Sequence, residues 1–235
     1  MTEILYMPNI ESNYIREWDA QVVAKGEDFI ELDRSAFYPE GGGQPSDTGW
    51  LEWQGGRAKV RQVTKKGSVK HFIEGQLPEG KVHAVLDWER RYGHMRMHTA
   101  QHIVSGVVFD RFGARTVGNQ IYAEKSRVDF HPIKFTEEQI AMVEKEANEI
   151  IGRNLDVCIT QELRSDLERR VNEERCNLDL LPKSIQNLRV IEVAGFDVCP
   201  CAGTHVRNTN ELGKVHVLSV ESKGKDRCRL TYELI

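Results

Sequence analysis

Arg96-Met97-His98-Thr99-Ala100-Gln101-His102-Ile103-Val104-Ser105-Gly106-Val107-Val108 is the stretch on which the reading of this chain turns. Met97, Ala100, Val104, Val107 and Val108 fall in helical register, which predicts a helix over 96–112, and Gly113 stands just beyond its end. His98 and His102 are four apart on that helix, so they share a face with one turn between them. Two imidazoles so placed can converge on one ion without bending the backbone. Far downstream, Cys201-Ala202-Gly203-Thr204-His205 offers a second pair at the same spacing, from a loop or a helix end. Mixed imidazole and thiolate ligation suits zinc, which has no redox chemistry of its own. Two pairs of complementary type imply one shared site.

Upstream of this helix the chain has a different character, and the change falls near Trp88. Short β-type stretches cover 20–24, 28–32, 50–53, 57–64, 69–73 and 82–86. Gln54-Gly55-Gly56 and Lys65-Lys66-Gly67 read as hairpin turns between them. Many short strands at this spacing predict a small barrel or sandwich. Downstream, Thr136-Glu137-Glu138-Gln139 is a capping-box signature for a helix whose apolar line runs through Ile140, Val143, Ala147 and Ile150 to a stop at Gly152. A charged helix is expected around 162–175, and strands near 155–159, 188–193, 215–220 and 228–232. The fold class is therefore α+β: an N-terminal small β-barrel domain over 1–88, then an α/β two-layer domain over 89–235 with helices on one face of a sheet.

Composition is that of a globular chain. Of the 235 residues, 40% are hydrophobic and 29% charged, which argues against wholesale disorder. The start carries no secretory signal pattern, and no apolar run reaches the length of a bilayer span. Five cysteines, an odd number, fit free or metal-bound thiols in a reducing cytoplasm better than a disulfide framework. The net charge of −4 does not itself point to nucleic acid, but Arg57, Lys59, Arg61, Lys65, Lys66 and Lys70 form a stripe without an acid among them. Further clusters gather at Arg90, Arg91 and Arg96 and at Lys223–Arg229. Such stripes can meet a phosphate backbone or simply solvate a strand edge.

The Gly-rich run Phe37-Tyr38-Pro39-Glu40-Gly41-Gly42-Gly43-Gln44-Pro45-Ser46-Asp47-Thr48-Gly49 is not a Walker loop, because no Lys-Ser/Thr pair follows it. It reads equally as a tight connection and as bare backbone laid against a ligand. His94 extends the histidine series by a further turn, but it lies about 12 Å from His102 along the axis. It is assigned a place behind the ligands or on the surface. Cys158, Cys176 and Cys228 read as small core residues.

The run from Arg91 to His102, the Cys201–His205 element and the Gly-rich stretch together closely resemble the AlaX-type proteins, free-standing relatives of the editing domain of alanyl-tRNA synthetase. The resemblance spans nearly the whole chain and implies a medium-length member, a β domain followed by a zinc-binding editing domain. It implies hydrolysis of mischarged tRNA(Ala), chiefly seryl and in some members glycyl, with His98, His102, Cys201 and His205 as the zinc ligands on which catalysis rests. It further implies that Gly41, Gly42 and Gly43 lie at the substrate, and that Thr116 stands where the family reads the seryl hydroxyl. Ala202 departs from the glycine frequent at its position. Cys199 stands two residues before a mapped ligand, as a competitor for the metal or a buried neighbour.

An aminoacyl-tRNA is an activated ester, so a metal that polarises the carbonyl or acidifies a water suffices to cleave it. Four protein ligands make a closed site, whereas catalysis wants an open position, so His205 is expected to be the exchangeable ligand. Gln101 occupies the place that Glu holds in the metalloprotease motif H-E-x-x-H, which argues against a zinc peptidase. A non-catalytic RNA-binding module with structural zinc and a zinc hydrolase of small esters or peptides are the competing readings. Removing residues before Trp88 is expected to cost deacylation more than zinc content.

Overall fold

The computed structural model describes residues 2–176, 178 and 181–235. Two short strands, β1 (Glu3–Ile4) and β4 (Arg34–Ser35), pair parallel beside a barrel. That barrel is closed by β2 (Glu17–Lys25), β3 (Phe29–Leu32), β7 (Ser68–Glu74), β6 (Gly56–Lys66), β5 (Gly49–Trp53) and β8 (Lys81–Leu86), in that order. All its pairings are antiparallel. These are the six β-type stretches that the sequence reading set between turn signals. Their inward residues, among them Ile30, Leu32, Leu51, Val60, Val63 and Ala84, form the buried core of the barrel. The step of three from Val60 to Val63 is set by a bulge after Val60, which turns the next side chain back inward.

Helix α1 (Trp88–Phe112) begins eight residues before the sequence prediction. Asp87 caps it by accepting the Arg90 N–H, and Gly113 in the left-handed region ends it. The early turns contain Gly93, where a Cβ would fall 2.6 Å from Ala123 Cβ, so the close approach of the helix to that segment requires glycine. Every residue from Met97 to Val108 is buried, so the helix is a central spine and not an amphipathic surface helix. Against it pack α2 (Glu137–Ile151), with its Thr136–Gln139 capping box as expected, and the sheet β14 (Val215–Ser222)–β15 (Cys228–Leu234)–β10 (Ser126–His131)–β9 (Arg115–Gln120). Met97, Ile103, Val104, Phe130, Val143, Leu230 and Tyr232 form this core.

Downstream of α2 the expectation of one sheet is corrected. β11 (Val157–Leu163), β12 (Asn187–Val193) and β13 (Asp197–Pro200) form a separate three-stranded sheet. The charged helix is only α3 (Arg164–Arg170), because Glu162 and Leu163 are taken up by pairing with Leu188 and Asn187. Cys158 is exposed and not core: on β11 it alternates with the inward Val157 and Ile159. Cys176 and Cys228 are buried. Among the described residues no helix is long and apolar enough to cross a membrane.

A buried clamp joins the Gly-rich run to α1. Arg91, fully buried, donates through Nε to both oxygens of Asp47, and through its terminal nitrogens to Asp47, Asn13 O and Ala36 O. Asp47 also accepts the Tyr38 N–H at 2.6 Å. Breaking such a pair by removing one partner typically costs about 3–5 kcal/mol, since the other charge stays buried.

Candidate metal centre

The middle of α1 and the loop after β13 bring four side chains to one point. His98 and His102 come from the helix, Cys201 and His205 from the loop, and their ligand-type atoms lie within 4.8 Å of one another. Cys201 Sγ is 3.5 Å from His98 Nε2 and 3.4 Å from His205 Nε2. A tetrahedral ion with Zn–N and Zn–S bonds of ordinary length has edges of about 3.3–3.6 Å, so these separations suit one.

The opposite ring nitrogens are all engaged elsewhere. His98 Nδ1 meets Gln44 Oε1 at 2.8 Å, His102 Nδ1 meets Asp197 Oδ2 at 2.9 Å, and His205 Nδ1 meets Thr99 Oγ1 at 3.1 Å. A carbonyl or carboxylate oxygen can only accept, so His98 and His102 carry their proton on Nδ1 and turn the Nε2 lone pair inward. Gln44 is itself oriented by Thr204, donating to its Oγ1 and accepting its N–H. Arg175 pairs with the other oxygen of Asp197 at 3.0 Å. Asn13 Oδ1 accepts the His205 N–H, and Arg189 donates to Cys201 O.

Electrostatics follow from this packing. Burial pushes the Cys201 thiol up, but the neighbouring His98 and His205 outweigh it and hold the group well below the usual thiol range. Burial and the nearby His98 push His205 well below the ordinary imidazole value. Burial also opposes a charge on His102, yet Asp197 and Cys201 outweigh it and raise its pKa to about 9, so without a metal Nε2 holds a proton that an ion must displace to use the lone pair. A thiolate and a neutral imidazole are the forms that bind a metal.

Two sequence expectations change here. His205 is fully buried and held at both its ring and its backbone, which argues against the expectation that it is the loose residue of the four. The adjoining cavity, about 630 Å³, is lined instead by His98, His102 and Cys201. His94 is buried without a hydrogen-bond partner for either ring nitrogen, so it neither supports a ligand nor faces solvent. Cys199 lies outside the cluster, its Sγ 2.6 Å from Cys176 Sγ.

The Gly-rich loop forms part of the cavity wall through Gly41 and Gly42. Gly43 does not line that cavity; its carbonyl accepts the Ile121 N–H at 2.8 Å, and a Cβ there would strike Asn119 Oδ1. On the opposite wall Thr116 donates to Ser105 Oγ at 2.9 Å, and Gln101 donates to the same oxygen at 2.7 Å. Thr116, Gln101, His98 and His102 thus share one chamber. Sequence reasoning did not single out Gln44, Asp197, Thr99 or Asn13, because each acts on a partner more than fifty residues away and no local pattern marks such a contact.

Comparison with known proteins places this arrangement among tRNA-handling chains. Residues 188–231 match the family model described as the threonyl and alanyl tRNA synthetase second additional domain, and residues 9–90 that of the class II (A) tRNA synthetases. The chain is 38% identical over 245 residues to an alanyl-tRNA editing protein AlaX-M of Methanosarcina barkeri, covering 100% of both chains. It is 37% identical over 247 residues to the AlaX-M of Saccharolobus solfataricus, covering 99% of this chain and 98% of that one. It is 36% identical over 218 residues to an alanine–tRNA ligase of Thermococcus kodakarensis, covering 90% of this chain and 24% of that protein.

Proposed function

Because this chain belongs to the family of AlaX-M alanyl-tRNA editing proteins, we propose that it is a zinc-dependent aminoacyl-tRNA deacylase, acting in trans on tRNA(Ala) mischarged chiefly with serine and secondarily with glycine. The observation that carries this reading is the meeting of three Nε2 atoms and one Sγ beside a chamber that also holds a hydroxyl network. The N₃S donor set, with its Nδ1 atoms tied back, fits zinc. His98, His102, Cys201 and His205 would hold it, and when bound it supplies Lewis acidity toward an ester carbonyl or a water.

The protein's own residues then position the substrate. Gly41 and Gly42 offer backbone at the chamber wall without side chains in the way. Thr116, with Ser105 behind it, presents a hydroxyl to the aminoacyl side chain, which serine satisfies and alanine does not. A site built to bond a hydroxyl can reject the analogue lacking it by up to about 10⁴-fold or more. The domain assignment, a barrel over 1–88 and a zinc-binding editing unit over 89–235, belongs to the same proposal.

One observation favours a second reading: four protein donors can close a metal site, which would make it structural in an RNA-binding module. Purified protein incubated with seryl-tRNA(Ala) and alanyl-tRNA(Ala) separates the two. We expect loss of the seryl ester, sparing of the alanyl ester, arrest by a zinc chelator and recovery on adding zinc. Tight tRNA binding without any deacylation would establish the structural reading instead.

A further inference from the structure

A second cleft opens next to the metal chamber. It has a volume of about 480 Å³ and lies between β6, the start of α1 and the segment just after β9. Glu40, Gly41 and Asn119 line both spaces, so the two are neighbours across the Gly-rich loop. The loop that separates them is rigid, tied through Gln44 to His98 and through Gly43 to Ile121.

The second cleft has a chemistry of its own. Arg90 and Arg61 bring two guanidinium groups, against Glu40 as the one carboxylate of its lining. Arg61 is paired with Asp28 at 2.5 Å. Arg90 is anchored through Nε to Ser46 O at 3.1 Å, and among the described residues no carboxylate pairs with its guanidinium. Gln62 and Asn119 add amides, and Tyr122, 46% exposed, adds an aromatic surface. A fixed guanidinium with free donors suits a phosphate, and an exposed aromatic suits an unstacked base. The combination is that of a seat for a single strand, since a duplex offers no base face to stack.

We propose that this cleft holds the single-stranded 3′ segment of the RNA immediately before the aminoacylated nucleoside, with Arg90 on a phosphate and Tyr122 against a base. The proposal rests on the reading that the metal chamber receives the aminoacyl ester. It adds where the strand runs: across the Gly-rich loop and past the first turns of α1.

The test is a binding cycle between the protein and the RNA end. Wild type, Arg90→Gln, Arg90→Lys and Tyr122→Ala are titrated with uncharged tRNA(Ala), intact or trimmed of its three terminal nucleotides. For intact tRNA, Arg90→Gln should weaken binding about five- to tenfold, and the salt slope should fall by about 0.7, the value for one single-strand phosphate. Arg90→Lys should keep most of the slope. Tyr122→Ala should cost at least about fivefold. On trimmed tRNA these variants should match wild type. An equal loss of affinity on both RNAs, or none on either, overturns the proposal. Deacylation of seryl-tRNA(Ala) by wild type is measured alongside. Its absence with the coupling intact would sink the deacylase reading and leave the strand seat standing, and the converse would sink the seat alone.

Discussion

An added Cβ at Gly203 would fall 2.1 Å from His98 Cε1 and 3.2 Å from Gln44 Oε1, so the loop can reach the helix only with glycine there. Gly203→Ala should therefore push the imidazole off its acceptor and lower zinc affinity about 10- to 100-fold, the usual effect of losing support behind a ligand. Competition against a chromogenic chelator measures it, and an unchanged constant would refute the packing argument. Cys201→Ala removes a thiolate from the cluster and should leave the protein with far less than one zinc per chain. Cys199→Ala should retain zinc, because its sulfur faces Cys176 and not the histidines. Elemental analysis showing the reverse pattern would overturn the ligand set. Thr116→Val keeps the shape of a cavity residue but removes its hydroxyl. Leaving the seryl hydroxyl unsatisfied costs roughly 1–3 kcal/mol, which is about one to two orders of magnitude in single-turnover rate. Glycyl-tRNA deacylation should change far less. Equal losses on both substrates would assign Thr116 to support of the chamber wall through Ser105.

At the scale of elements, the barrel and α1 show two ways of burying polar groups. His71 on β7 is fully buried, with Nε2 2.8 Å from Ser35 Oγ. Burial lowers its pKa to about 4, against 6.5 for a free imidazole. Between those values the unfolded chain binds a proton that the folded barrel refuses, so stability falls as pH falls from 6.5 toward 4. The full difference amounts to about 3 kcal/mol. His71→Gln should flatten the dependence of the urea midpoint on pH over that window, whatever it does to stability at pH 8. A slope equal to that of wild type would show that other groups dominate acid unfolding. Helix α1 ties its buried imidazoles to side-chain oxygens that can only accept, Gln44 Oε1 for His98 and Asp197 Oδ2 for His102, whereas the partner of His71 Nε2 is a hydroxyl. Its inner half is buried all round, which is why a pattern of one apolar face describes it poorly.

For the whole molecule, the clamp at Arg91 couples the barrel side to the metal side. Removing residues 1–87 would take away Asp47, Asn13 and Ala36, all partners of a fully buried guanidinium, and Gln44, which orients His98. An unpaired buried charge at about 3–5 kcal/mol is a large share of a typical total stability of about 5–15 kcal/mol. The truncated chain should therefore lose cooperative unfolding and zinc together. This reverses the expectation from sequence that zinc content would be little disturbed. A fragment 88–235 that melts sharply and keeps one zinc would show that the clamp is dispensable.

Local order was legible in the sequence because its causes are local. Short β-type runs between turn signals marked the six barrel strands, the capping box at Thr136 marked α2, and spacing of four put His98 beside His102. Ser126, Val128 and Phe130 alternate inward on β10, a strand the sequence reading did not list, and its pairing with β9 and β15 holds it in place. The same exchange of neighbours explains the short α3, where pairing of Glu162 and Leu163 with β12 overrode helix propensity. What only the tertiary structure decided is which oxygen holds each imidazole. Gln44, Asp197 and Thr99 approach His98, His102 and His205 across separations of 54, 95 and 106 residues. Such contacts depend on where the Gly-rich loop, β13 and the Cys201–His205 loop come to lie against α1 once the barrel, the helix and two sheets have packed. A hydrogen bond between segments so far apart in sequence leaves no periodic trace in either, so the four side chains that meet could be read from the chain, but the groups that aim them could not.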